Sequence, residues 1–137
     1  MGRSLIFLFL FMLSVCFSVK AQIRFPEGNY RTFQKEAKKS NSSYLVFFYT
    51  DWCKHCRFII DSTFTDAKVK AAMERDYLLT AINMDKQKTW GRVYNIKSFP
   101  AIILFDPRGH ELARVRGSVT REEMLDFLGS ASQSPVR

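Results

Sequence analysis

Trp52-Cys53-Lys54-His55-Cys56 is the stretch whose reading decides the fold. Two cysteines separated by two residues can close a small disulfide ring or open to a dithiol. On its N-terminal side, Tyr44-Leu-Val-Phe-Phe-Tyr-Thr50 is a near-continuous apolar run, the pattern of a strand buried on both faces of a parallel or mixed sheet. On its C-terminal side a helix is predicted from Cys53 to about Asp61. Cys53 thus falls in the first turn of a helix, where backbone N–H groups and the macrodipole favour a thiolate over a thiol. That placement marks Cys53 and Cys56 as a redox pair.

The chain has 137 residues, enough for one domain with its own core. Hydrophobic residues make up 47% and include 13 Phe, which excludes a disordered chain. Of the three cysteines, Cys16 falls in an N-terminal leader, which leaves two, too few for a disulfide-stapled scaffold. The formal charge is +8, or +6 once Arg3 and Lys20 depart with the leader. No stripe of Lys and Arg interleaved with exposed aromatics points to nucleic acid, and the basic excess serves solubility first.

Met1-Gly-Arg-Ser4 is a short positive segment, and Leu5 to Val19 is an apolar run too short to span a bilayer, which takes about 20 residues. Val19-Lys20-Ala21 then offers a cleavage site. Residues 1–21 are therefore expected to be a signal peptide, with a domain at 22–137 and a periplasmic or secreted location. Leu13-Ser-Val-Cys16 resembles a lipoprotein signal, but Val15 stands where that signal wants Gly, Ala or Ser.

Tyr30, Phe33 and Ala37 recur at helical spacing over about Asn29 to Lys39. After the Cys53 helix, Thr65 is expected to cap a second helix whose inner face is Val69, Ala72 and Met73. Tyr77 to Met84 reads as a strand and Thr89 to Tyr94 as a short helix. Ala101-Ile-Ile-Leu-Phe105, the turn Asp106-Pro-Arg-Gly109 and His110 to Arg116 read as an antiparallel hairpin. Thr120 and Glu123 form a capping box for a last helix with Met124, Leu125 and Leu128 inward, ending in a polar tail from Gly129. The order predicts an α/β fold, a four-stranded mixed sheet with helices on both faces.

Thr50-Asp-Trp-Cys-Lys-His-Cys-Arg57, Ser62-Thr-Phe-Thr-Asp-Ala-Lys-Val69, Ser98-Phe-Pro-Ala-Ile-Ile-Leu-Phe-Asp106 and Ala113-Arg-Val-Arg-Gly117 together resemble the thioredoxin-like superfamily. The likeness covers nearly all of residues 28–130 and is nearest to secreted proteins related to the C-terminal periplasmic domain of DsbD. It implies the thioredoxin fold, a cis peptide before Pro100 lying against the cysteines, and thiol–disulfide exchange with protein disulfides or dithiols. A membrane electron donor is a further implied partner, and the chain is expected to be monomeric. Two departures stand out. The family often has Asp six residues before the first cysteine, and its DsbD-like members carry an acid seven residues after it; here these positions are Phe47 and Ile60.

Cys53 is expected to be the exposed nucleophile and Cys56 the buried resolving thiol. Lys54 and His55 are expected to tune the redox poise by stabilising the Cys53 thiolate. Trp52, Phe99 and Pro100 are expected to line the substrate groove, the Phe99 backbone pairing with an extended segment. Phe47, Phe48 and Tyr49 read as core, and His110 as an ordinary turn residue. No cofactor beyond the cysteine pair is expected and no metal, since only His55 and His110 could complete a zinc set and His55 lies between the cysteines. Haem attachment fails because Arg57, not His, follows Cys56. The alternative is a binding module in which the fold serves as a scaffold or a metal- or client-binding adaptor.

Overall fold

The computed structural model describes residue 23, residues 25–26 and residues 29–132. The leader, its cleavage site and Cys16 lie outside the described residues. In order, the elements are α1 (Tyr30–Ser40), β1 (Tyr44–Tyr49), α2 (Lys54–Asp61), a 3-10 turn (Thr63–Thr65), α3 (Ala67–Asp76), β2 (Leu78–Asn83), α4 (Lys88–Val93), β3 (Ala101–Phe105), β4 (Glu111–Arg116) and α5 (Arg121–Ser132). The sheet order is β2-β1-β3-β4. β1 pairs with β2 in parallel, and the β1–β3 and β3–β4 pairs are antiparallel. This is the four-stranded mixed sheet that the sequence predicts.

β1 is an interior strand, which is why its apolar run is unbroken: Tyr44 to Phe48 are all buried. The period of two then divides its side chains between two cores. Leu45 and Phe47 join Ile102 and Leu104 of β3 on the face covered by Ile59 of α2, Val69 and Met73 of α3, and Met124 and Leu128 of α5. Tyr44, Val46 and Phe48 join Ile103 and Phe105 on the other face, under Tyr30 and Ala37 of α1 and Trp90 and Tyr94 at α4. Each fully buried Val, Leu, Ile, Phe or Met side chain among them contributes about 1.5–3 kcal/mol.

Two local predictions change. Asp66, not Thr65, caps α3: its carboxylate accepts from the backbone N–H of Lys68 and Val69 at 2.9 and 3.1 Å. Thr65 ends the 3-10 turn instead, and its hydroxyl donates back to the carbonyls of Asp61 and Ser62. The last helix passes through Gly129 to Ser132, because this glycine does not take the left-handed conformation that ends a helix. The capping box of α5 is as expected, with Thr120 N–H donating to the Glu123 carboxylate and Glu123 N–H to the Thr120 hydroxyl.

His110 does more than occupy a turn. In the β3–β4 connection the nearly buried Asp106 accepts from the backbone N–H groups of Arg108 and His110 and pairs with His110 Nδ1 at 2.9 Å. Gly109 completes the turn at φ +93°, a region that favours glycine. Burial alone would push the Asp106 carboxyl up, but these hydrogen bonds outweigh it and hold the group below the usual carboxylate range. A lowered folded-state value means that the stabilisation is complete above the unfolded carboxylate range, near pH 4, and is lost as pH falls through the folded value. Asp106→Ala is expected to cost about 1–3 kcal/mol at pH 7, by leaving the turn N–H groups without their acceptor. In thermal melts, the gap to the parent protein should narrow as pH drops below about 4; a gap that holds constant into acid refutes the assignment.

Candidate functional site

β1 delivers the chain to the N-terminus of α2 at one end of the sheet. Cys53 N–H donates to the Thr50 carbonyl at 3.3 Å, which folds the connection into a tight turn. Cys53 is then the N-cap of α2 with extended backbone, and its Sγ accepts from the Cys56 backbone N–H at 3.1 Å. A cysteine sulfur stands here where Ser or Asp commonly caps. The same donor and the helix dipole would meet negative charge on that sulfur when the ring opens. Cys53 and Cys56 are joined as a disulfide, with their Cα atoms 5.2 Å apart.

The expected contrast in exposure is small in this oxidised form: Cys53 is 5% exposed and Cys56 1%. The disulfide ties Cys53 to Cys56, whose side chain belongs to the core cluster with Ile59 and Phe47. Lys54 and His55 are both exposed, on the outer side of the first helical turn. His55 Nδ1 lies 3.0 Å from the Ser118 hydroxyl, so the imidazole is tethered to the loop after β4 rather than free at a loop tip.

Trp52 is 68% exposed, which rules out a plain core role. Its Nε1–H donates to Asp85 at 3.3 Å, and the second oxygen of Asp85 accepts from Asp51 N–H at 2.8 Å. Asn83 bridges the two acids, donating to Asp51 and accepting from Asp85 N–H. The indole meets Phe99 edge to face, with ring centroids 6.2 Å apart. Phe99 and Trp52 both line a cleft of about 530 Å³ that continues over Thr50, Met84 and Asp85. The Phe99–Pro100 peptide is cis, as the resemblance implies. Pro100 is buried, and its carbonyl accepts from Gly117 N–H at 2.8 Å. That bond, the His55–Ser118 contact, and the Thr63 hydroxyl donating to the Val119 carbonyl at 2.6 Å tie the 117–119 loop to the start of β3, the first turn of α2 and the 3-10 turn.

Trp52, Phe99 and the cysteine pair therefore share one end of the sheet. Sequence reading missed Asp85, Asn83 and Ser118, which join the site across separations of 32 to 63 residues. Only the acid just past the end of β2 offered a hint. The two departures are both apolar. Phe47 is buried against the rings of Phe25, Tyr49 and Phe64, with centroids 5.3 to 5.7 Å apart. Ile60 packs half-buried on the same cluster. Among the described residues no three His, Cys, Asp or Glu side chains gather in a metal-binding group.

Residues 31–132 match the thioredoxin-like domain. The chain is 30% identical over 105 residues to protein disulfide-isomerase A6 of Mesocricetus auratus, an alignment covering 77% of this chain and 23% of that protein. It therefore spans about a quarter of that relative's length. It is also 30% identical over 97 residues to the thiol:disulfide interchange protein DsbD of Yersinia pestis, covering 67% of this chain and 16% of that one. In structure it resembles a thioredoxin from Thermus thermophilus with a TM-score of 0.71 at 21% identity, covering 82% of this chain and 89% of that chain.

Proposed function

The chain belongs to the thioredoxin-like domain family, and on that footing we propose that it is a thiol–disulfide oxidoreductase acting on protein disulfides and dithiols outside the cytoplasm. The observation that carries this reading is the Cys53–Cys56 pair on the first turn of α2, with the Cys53 sulfur facing the Cys56 N–H. In the reduced protein, the Cys53 thiolate attacks one sulfur of a substrate disulfide and expels the other as a thiolate. The Cys56 thiol then gives up its proton and attacks Cys53 Sγ. This closes the protein disulfide and releases the second substrate thiolate. Two electrons pass to the substrate; a partner dithiol, such as a membrane electron donor, must supply two to reset the pair. The reverse sequence oxidises a substrate dithiol.

Trp52 and Phe99, which meet edge to face, supply the apolar walls of the substrate groove in this reading, and the backbone at Phe99 offers pairing to an extended substrate segment. The extracytoplasmic location rests on the signal-like segment at 1–21, and the DsbD relative supports it.

Lys54 and His55 tune the redox poise. A cation or hydrogen-bond donor beside the Cys53 sulfur stabilises the thiolate, and a stabilised reduced form makes the disulfide more oxidising. Equilibration with glutathione is expected to place the pair above the value of about −270 mV typical of thioredoxin. Lys54→Gly with His55→Pro should shift it toward that value. A parent potential at or below thioredoxin's sinks the poise argument. Alkylation trapping in the cell then gives the working direction: mostly disulfide for an oxidant, mostly dithiol for a reductant.

A further inference from the structure

Arg31, Gln34, Lys35 and Lys38 fall at i, i+3, i+4 and i+7 of α1 and so form one stripe along the helix. It runs beside the apolar stripe of Tyr30, Phe33 and Ala37 that holds α1 to the sheet. Like charges at these spacings repel and weaken the helix that carries them. The stripe lines an open cleft of about 450 Å³, within the range of small-molecule sites. Its remaining walls come from Tyr44, Trp90 and the β3–β4 turn, which contributes Arg108.

Four cations line this cleft and no carboxylate does. None of Arg31, Lys35, Lys38 and Arg108 has an acidic partner among the described residues. Glu36 of α1 lines a different pocket, with Phe33 and Tyr77, so the helix separates its acid from this basic stripe. The frame is built. The Arg108 N–H is held by Asp106 in the β3–β4 turn. The Gln34 amide is held by the Tyr94 and Tyr44 hydroxyls at 3.0 and 3.4 Å, and Arg31 lies 6.0 Å over the Trp90 ring.

We propose that this cleft is a binding site for a phosphate-type oxyanion, inorganic or esterified, carrying two or more negative charges. Arg31, Lys35, Lys38 and Arg108 supply charge-assisted donors, and the anion relieves the repulsion along α1. The cleft lies by Tyr44, at the opposite end of β1 from the disulfide and about 20 Å from it along the strand. An anion can therefore occupy it while the redox face stays open. The assignment does not depend on the redox reading.

The test compares the whole protein with two double variants of equal charge change, Lys35→Glu/Lys38→Glu and Lys68→Glu/Lys86→Glu, the latter pair lying outside the cleft. Inorganic pyrophosphate is titrated calorimetrically at low salt, and vesicles of phosphatidylglycerol or phosphatidylcholine are co-sedimented with each protein. The cleft variant should lose about tenfold or more in affinity while the distant pair holds close to the parent value. Loss of pyrophosphate binding identifies a free or esterified phosphate as the source; loss of binding confined to phosphatidylglycerol vesicles identifies a lipid headgroup. Either outcome supports the site. No binding of either probe, or equal loss in both double variants, overturns it, the second because net charge alone then accounts for the affinity.

Discussion

Cys53→Ser is expected to reduce the rate of insulin reduction at least about a hundredfold, to the background of the reductant that feeds the assay, because the group removed forms the covalent intermediate. Serine keeps an oxygen that can cap α2 in place of the sulfur, so the fold has no cause to fail. The variant also loses the disulfide. For a ring this short the chain-entropy model gives a cost of about 2 kcal/mol, and melts of the reduced parent protein provide the matched control. Cys56→Ser should behave differently. Its Cys53 thiolate still attacks, but nothing resolves the product, so a mixed disulfide with substrate accumulates on non-reducing gels. If Cys53→Ser retains insulin reduction, the oxidoreductase reading falls and the chain is a binding module on a redox scaffold.

The second large effect is in the core beneath the site. Phe47→Asp restores the acid common in the family, yet it is expected to destabilise the protein by about 4 kcal/mol or more, from the cavity left by the ring and from the buried carboxyl. The ring now fills the space among the rings of Phe25, Tyr49 and Phe64. Burial raises the pKa of the introduced acid above its unfolded value. Its stabilising balance is therefore best below the unfolded carboxylate pKa and worsens as pH climbs through the folded value. Melts at pH 5 and pH 8 should show the larger loss at pH 8. Phe47→Leu, which keeps the site apolar, should cost far less and show no such dependence. Parent-like stability of Phe47→Asp at pH 8 contradicts the packing described for this residue. Phe47 thus puts hydrocarbon at the position where the family that the sequence resembles often has an acid.

Much of the site was legible before any coordinate. The Trp52–Cys56 motif, the apolar run of β1 and Pro100 before β3 are local signals, each set by the chemistry of a few adjacent residues. Asp106 and Gly109 announced their turn for the same reason, since an Asx side chain and a positive φ act within four residues. The cap of α3 was misplaced by one residue because Thr65 and Asp66 are both competent caps. The choice between them was made by the 3-10 turn that consumes the Thr65 hydroxyl.

From the sequence alone came the family resemblance, the mixed sheet, the redox pair and the two missing acids, because backbone period and short-range bonding depend on neighbours in the chain. The tertiary structure decided what surrounds the Trp52–Cys56 stretch. Trp52 is moored to Asp85, and His55 meets Ser118 across 63 residues. The exposed cations Arg31, Lys35 and Lys38 of α1 line one open cleft with Arg108 of the β3–β4 turn. Such contacts arise where separate elements meet at the ends of a sheet, and no periodicity within one element encodes its neighbour on another.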